Sequence, residues 1–265
     1  MRILYLHRTG LGSEDLLSSF IISLKKQEIN CFEKFKLLVI LKGIKKDTKN
    51  IRNLVTNDLK IQIEEILCLP DDGYDLGAYF RASNYLPEDT TLFLNSHSRF
   101  RKKSSLQKIY NYSSFLSNDY LIGCSGSLST LSKRKFNYKT ILFSPLITYW
   151  NRKAVKSFPE MPNPHIRTTG FVCNSKKYSN FISTVGFPKS KEDCHFLESG
   201  NNSLTNYFQN KCLVSEHGIF QINQKIVGGF RNGNQENLLI SDNQTDIYDQ
   251  ASSLKRRVLS YRSYG

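Results

Sequence analysis

Four segments of the chain combine residue types that can do chemistry. The first is Leu69-Pro70-Asp71-Asp72-Gly73-Tyr74-Asp75-Leu76-Gly77-Ala78-Tyr79-Phe80-Arg81. It sets three carboxylates and two glycines between an apolar run and a helical pattern. Gly73 permits a tight turn, and Gly77 permits close approach by another backbone. Ligands of open α/β sheets sit at the carboxyl ends of strands, which is where this segment falls. The same pattern also suits a capped helix start with Asp72 or Asp75 as the N-cap.

The second segment is Leu92-Phe93-Leu94-Asn95-Ser96-His97-Ser98-Arg99, an apolar run ending in small polar side chains and a base. Asn95 and His97, with a nearby carboxylate, have the chemistry to hold a divalent metal or a diphosphate. A polar loop capped by Asn or Ser fits as well, and no Asp-x-Asp is present. The third is Pro164-His165-Ile166-Arg167-Thr168-Thr169-Gly170. In an extended segment His165 and Arg167 point to one side, and a guanidinium suits phosphate or carboxylate. A surface loop with a structural Arg is the alternative. The fourth runs from Lys191 to Thr205. It places Glu198 before a glycine and a helical pattern containing Leu204, Tyr207 and Phe208. A helix N-terminus would keep Glu198 ionised and able to take a proton from a hydroxyl, unless it merely caps the helix.

Other templates are absent. No Gly-x-Gly-x-x-Gly follows the first strand, and there is no Gly-x-x-x-x-Gly-Lys-Ser/Thr. Gly123-Cys124-Ser125-Gly126-Ser127 does not fit a nucleophile elbow, and no Cys/His set has zinc spacing. The cysteines at 31, 68, 124, 173, 194 and 212 form no Cys-x-x-Cys pair. This argues for a reducing, cytoplasmic compartment, in which the Asn-x-Ser/Thr sites at Asn111, Asn201 and Asn243 are accidental.

The elements that must position these residues alternate. Ile3–Leu6 reads as a first strand, too short in its apolar part for a signal peptide. Residues 14–26 carry Leu16, Leu17, Phe20, Ile21 and Leu24 on one helix face. The run 35–41 reads as a strand covered on both faces. A helix at 49–60 and strands at 65–69, 90–94, 120–124, 140–143 and 170–173 follow. Such alternation predicts a mostly parallel sheet with helices on its faces. Phe158-Pro159-Glu160-Met161-Pro162-Asn163-Pro164-His165 must be an extended loop, and residues 252–262 read as a last basic helix.

The chain has 265 residues, 39% of them hydrophobic, which supports one large α/β domain and excludes a wholly disordered chain. No apolar run approaches the ~20 residues that span a bilayer. Lys and Arg number 37 against 23 Asp and Glu, a net charge of +14, so polyanions are favoured partners. The basic clusters at 45–49, 99–103, 133–135 and 255–257 read as solvated faces.

In order, these motifs resemble a family of bacterial glycosyltransferase-like proteins of surface-polysaccharide biosynthesis, related to rhamnan-synthesis-type transferases. The series includes Asp72-Gly73-Tyr74-Asp75-Leu76-Gly77-Ala78-Tyr79, then Phe93-Leu94-Asn95-Ser96-His97-Ser98, Gly123-Cys124-Ser125-Gly126-Ser127 and Asn163-Pro164-His165-Ile166-Arg167-Thr168. It continues with Phe196-Leu197-Glu198-Ser199-Gly200, Gln235-Glu236-Asn237 and Ser241-Asp242-Asn243-Gln244-Thr245. The resemblance covers the chain from about residue 35 to its end. It implies a single GT-A-like domain, with a nucleotide-binding half (1–125) and an acceptor-side half with a C-terminal helix (126–265). It further implies a nucleotide-sugar donor held by His7, Lys42, Asp72, Gly73, Asp75, Arg81 and Asn95. The implied catalytic set is Glu198, His165 and Arg167, with Glu198 as the base of an inverting displacement and Arg167 facing the diphosphate with Asn95 and His97. A divalent Mn or Mg ion at Asn95 and His97 belongs to the family pattern, and replacement of Asp-x-Asp by Asn95-Ser96-His97 weakens that expectation. The implied acceptor is a glycan or lipid-linked glycan, in a cytoplasmic protein with peripheral contact to an anionic membrane.

Three rivals remain. A non-catalytic sugar- or nucleotide-binding relative would keep the fold without turnover. A nucleic-acid-binding protein would use the net charge with 14 Tyr and 17 Phe, although no reading motif for a specific nucleic acid is present. A hydrolase would pair Asp72 or Asp75 with Glu198.

Overall fold

The computed structural model describes residues 1–8, 13–43, 53, 55, 59, 61–130, 156–231 and 234–264. The first half contains β1 (Arg2–Arg8), α1 (Ser13–Lys25), β2 (Lys36–Lys42), β3 (Gln62–Leu69), α2 (Tyr74–Tyr85) and β4 (Thr90–Leu94). It continues through β5 (Arg99–Phe100), α3 (Ser105–Phe115), β6 (Tyr120–Gly123) and β7 (Gly126–Ser127). The second half contains β8 (His165–Ile166), β9 (Gly170–Asn174), α4 (Ser175–Val185), α5 (Lys191–Ser199) and α6 (Leu204–Tyr207). It ends with β10 (Asn210–Ser215), β11 (Gly218–Gln221), α7 (Gln224–Arg231), β12 (Ile240–Ser241), α8 (Asn243–Asp249) and α9 (Ser253–Tyr264). The strand predicted at 140–143, most of the helix predicted at 49–60, and the clusters 45–49 and 133–135 lie outside the described residues.

Eight strands form one sheet in the order β11-β10-β6-β9-β4-β1-β2-β3. β3, β2, β1 and β4 pair in parallel, as do β6 and β10, whereas β9 runs antiparallel to both β4 and β6. β11 returns antiparallel on β10. The mostly parallel sheet implied by the resemblance is thus the one observed. A strand from the second half sits between two from the first, so the boundary at residue 125 runs through a continuous sheet.

Alternate residues of the strands feed two cores. Ile3, Tyr5, Val39, Leu92 and Val172 face α1 and α3, which contribute Leu17, Phe20, Leu106 and Ile109. Leu4, Leu38, Phe93 and Phe171 face α2 and α4, which contribute Tyr79, Tyr178 and Phe181. This period of two with apolar residues on both sides requires helices on both faces. An aromatic cluster stiffens the β4–β9 junction: Phe93 stacks on Phe171 at 4.7 Å, with Tyr178 4.9 Å and Tyr79 5.3 Å from Phe93. Such pairs contribute about 0.5–1.5 kcal/mol each beyond their buried area.

In the cluster 99–103 the lysines are solvated as expected, whereas Arg99 and Arg101 are largely covered. Arg99 pairs with Asp246, and Arg101 lies 2.6 Å from Asp249. Lys103 meets Glu28 at 3.2 Å. The Arg99 and Arg101 pairs and the β5–β12 ladder fasten α8 to the first half.

Candidate functional site

The parallel strands β1, β2 and β3 end together, and the chain after β3 builds a cleft over them. Pro70 stops β3. Gly73 (φ +64°) and Tyr74 (φ +51°) then take consecutive left-handed conformations that start α2 abruptly. Positive φ suits Gly73 and strains a bulky residue such as Tyr74. Gly73 is itself the N-cap and α2 has no side-chain cap. Asp72 turns outward to Arg81 at 2.6 Å. Gly73 makes the expected tight turn, but both glycines face a ring, and at Gly77 it stands where the sequence suggests close approach of a backbone. A Cβ on Gly73 or Gly77 would lie 2.3 or 2.8 Å from Cζ of Phe187.

The cleft has a volume of about 580 Å³ and is lined by Arg8, Lys42, Asp71, Asp72, Gly73, Tyr74, Arg81, Phe187, Pro188 and Lys189. Lys42 rises from the end of β2 with a side chain only 3% exposed, its Nζ 3.5 Å from Asp71. Arg8 approaches the same carboxylate at 3.4 Å. The Lys42 ammonium lies 5.8 Å from the Tyr74 ring centroid, and the Arg81 guanidinium 5.1 Å from that of Phe187.

Asp75 stands in the first turn of α2, beside the turn after β4. Burial pushes its carboxyl up, opposed by Lys42, Arg8, a hydrogen bond from the Asn95 side chain, and His97. Oδ1 of Asn95 accepts the His97 backbone N–H at 3.1 Å and lies 2.9 Å from the Ser98 hydroxyl, whose proton is shared with Thr169 O. Ser96 accepts the Arg8 N–H through its hydroxyl and the Tyr5 hydroxyl through its carbonyl. The Asn95 amide is therefore occupied on both sides. Among the described residues no three His, Cys, Asp or Glu side chains converge as metal ligands.

Glu198 occupies the last turn of α5, where the sequence places it ahead of a helix. α5 starts at a capping box of Ser190 and Asp193, so the helix dipole at Glu198 opposes a carboxylate. Thr168 takes over that role, donating its N–H (2.8 Å) and its hydroxyl (3.0 Å) to Oε1. The following helix, α6, is a single turn with Ser203 at its N-cap position and no side-chain cap. Cys194, one turn before Glu198, reports how these groups converge. Burial first, then Asp75, Asp193 and Glu198, push its thiol up to about 12. Asp75 and Glu198 thus both act on this thiol, although neither lines the cleft over β1–β3.

Four predicted site residues lie away from the cleft wall: Glu198, at the end of α5, and His7, His165 and Arg167. His7 is fully buried in β1, and among the described residues neither ring nitrogen has a hydrogen-bond partner. Burial lowers its pKa and keeps it neutral. His165 is buried in β8 with Nδ1 2.8 Å from Asn163 O. Burial lowers its pKa despite the opposing pull of Glu198 and that hydrogen bond. Arg167 points to Asp242 at 3.2 Å, both side chains nearly buried, and does not face the cleft. The structure does bring together Lys42, Asp72, Gly73 and Arg81 on the cleft, and Asp75, Asn95 and His97 beside it. Asp71 and Tyr74 lie in the first segment with no individual role assigned to them, and Phe187 and Lys189 carry no sequence signal of a site beyond their turn. The Gly186-Phe187-Pro188-Lys189 turn signal between two helices was the available cue for the last two. A larger cleft of about 890 Å³ lies across α5, lined by residues including Phe196, Asn201, Asn206 and Tyr207, and contains none of the predicted site residues.

No protein-family model matches the chain, and no curated protein matches it. Several solved structures are similar in layout. S. aureus TarS 1–349 shares 15% identity over 83% of this chain and 60% of its own, with a TM-score of 0.46. The galactosyltransferase LgtC, in complex with donor and acceptor sugar analogues, shares 15% over 82% of this chain and 74% of its own, at 0.48. Mouse xyloside xylosyltransferase 1 shares 9% over 78% of this chain and 79% of its own, at 0.40. The chain therefore spans less than two thirds of the TarS fragment.

Proposed function

We propose that this protein is a nucleotide-sugar-dependent glycosyltransferase that extends a glycan or lipid-linked acceptor in bacterial surface-polysaccharide (O-antigen or capsule) synthesis. The cleft at the ends of β1–β3 carries this reading. Four cations (Arg8, Lys42, Arg81 and Lys189) face two carboxylates (Asp71 and Asp72). The excess of positive charge matches a diphosphate diester, which carries one negative charge on each phosphate. The exposed Tyr74 ring offers a face for a base or ribose, and Asp75 with Asn95 offers an acceptor and a donor for sugar hydroxyls.

The reaction is a single displacement. The acceptor oxygen bonds to the anomeric carbon as the bond from that carbon to the diphosphate breaks. The leaving diphosphate keeps the electron pair, and the cleft cations stabilise its growing charge. Glu198 takes the acceptor proton on Oε2, because Oε1 is held by Thr168. His165 and Arg167 act behind this layer as positioning residues.

Among the described residues no helix is long and apolar enough to cross a membrane. On α9, Leu254 and Val258 are exposed one turn apart beside Lys255 and Arg257, which supports peripheral attachment to an anionic leaflet. Arg99 and Arg101 are paired and largely covered, at 29% and 20% exposed, which argues against that run as a continuous nucleic-acid track.

The test is thermal stabilisation and nucleoside diphosphate release with a panel of UDP-, GDP- and dTDP-sugars. A ligand at ~100 times its Kd adds about 2.7 kcal/mol to the folded state. One base class should raise the midpoint, and Glu198→Gln should keep that shift while losing release. A shift without release from the unaltered protein, across a range of acceptors, would favour the non-catalytic relative. No shift with any donor would remove the reading.

A further inference from the structure

We propose that the donor diphosphate is held by side-chain cations alone, with Lys42 at the centre, and that binding requires no divalent metal. This rests on the nucleotide-sugar reading above. The turn after β4, where the family pattern would place metal-binding carboxylates, is closed on itself. Asn95 spends its oxygen on His97 N–H and Ser98, and Ser96 spends its hydroxyl and carbonyl on Arg8 N–H and Tyr5. That leaves the His97 imidazole and the buried Asp75 carboxylate, itself engaged by the Asn95 side chain, and Mg²⁺ or Mn²⁺ requires several oxygen ligands around one point.

The cleft supplies the charge by other means. Asp71 holds Arg8 and Lys42, and Asp72 holds Arg81, with both carboxylates about half exposed. These pairs orient the cations toward the space a ligand would enter. A diphosphate can displace the carboxylates from them, since exposed ion pairs contribute little and exchange readily. Lys42 differs from the others because its stem is enclosed by the sheet, so its ammonium is fixed and poorly hydrated before the ligand arrives. Such a preorganised cation is what a metal would otherwise provide to a leaving diphosphate.

The experiment is calorimetric titration of the full chain with UDP, GDP and inorganic pyrophosphate, each in EDTA, in Mg²⁺ and in Mn²⁺. The expected result is a Kd for pyrophosphate and for one nucleotide that changes less than about threefold across the three conditions. Lys42→Met should weaken binding at least ~10-fold. Because Lys42 is buried, Arg81→Gln at the rim provides a second variant, expected to weaken binding severalfold with an unchanged melting midpoint. Binding that appears only with Mg²⁺ or Mn²⁺, or that ignores both substitutions, overturns the inference and leaves the transferase reading standing. Absence of binding by every probe in every condition overturns the transferase reading as well.

Discussion

Arg167→Met separates a structural guanidinium from a substrate-binding one. Arg167 lies 3.2 Å from Asp242, with side chains 10% and 5% exposed. The same carboxylate caps α8, accepting from Gln244 N (3.1 Å), Thr245 N (3.0 Å) and Thr245 Oγ1 (3.1 Å). Burial alone would raise the Asp242 pKa; Arg167 and the hydrogen bonds from Thr245 and Thr169 overcome that and hold it below the usual range. Removing the cation strands a buried charge, at a cost of about 3–5 kcal/mol. For a chain of this size that is a fall in melting midpoint on the order of 10 °C. Asp242→Asn keeps an oxygen for the cap, so the double variant should recover much of the loss, with a coupling of at least ~2 kcal/mol in urea denaturation. The pH dependence has a definite sign. A depressed carboxylate pKa stabilises the fold above its unfolded value and loses that contribution as pH falls through the folded one. The gap between the unaltered protein and Arg167→Met should therefore narrow below about pH 4. A loss under ~1 kcal/mol, or additive single and double variants, would refute the buried-pair argument. Weakened donor binding at unchanged stability would return Arg167 to the diphosphate.

Three further substitutions test the site. Glu198→Gln should lower sugar transfer by at least ~100-fold with donor Kd unchanged, measured by product release and calorimetry; full turnover would remove the base assignment. Gly77→Ala places a methyl 2.8–2.9 Å from the Phe187 ring. That clash should outweigh the better helix propensity of Ala, lowering stability by about 1–3 kcal/mol and weakening donor binding as Phe187 moves. Phe187→Leu in the same chain should restore part of the stability. Tyr74→Gly relieves a left-handed conformation that costs about 1–3 kcal/mol in a non-glycine residue. Urea denaturation should show unchanged or higher stability while nucleotide affinity falls; a clear loss of stability would mean that the Tyr74 ring matters more to the fold than its backbone strain costs.

The strands were legible because buried strands are continuous apolar runs, and 90–94 is observed as read. Their directions were not. Gly170-Phe171-Val172-Cys173-Asn174 is buried along its whole length and reads the same in either orientation. Only its insertion between β4 and β6 makes it antiparallel. The two-residue ladders β5–β12 and β7–β8 are too short to carry a periodicity. Glu198 was displaced in the reading because Gly200 and the polar residues after it suggested a helix start, while the Ser190 and Asp193 capping box sets the start at Lys191.

The site's location was legible for a simple reason: polar motifs that directly follow apolar strands must sit at the sheet's carboxyl edge. Which side chains work there depends on partners distant in the chain. Asp242 claims Arg167, and Asp246 claims Arg99, before any ligand can. Phe187 fills the space above Gly73 and Gly77, including the room at Gly77 that suits a backbone. Lys42 and Arg81 are also paired, so pairing alone does not exclude a binding role. What separates them is the exposure of the partner. Asp242 is 5% exposed and cannot be exchanged without unfolding the α8 cap, whereas Asp71 and Asp72 are 46% and 47% exposed and open directly to the cleft. An anion can take their place at the cost of two solvated carboxylates, and it gains a buried lysine that the strand end already holds in position.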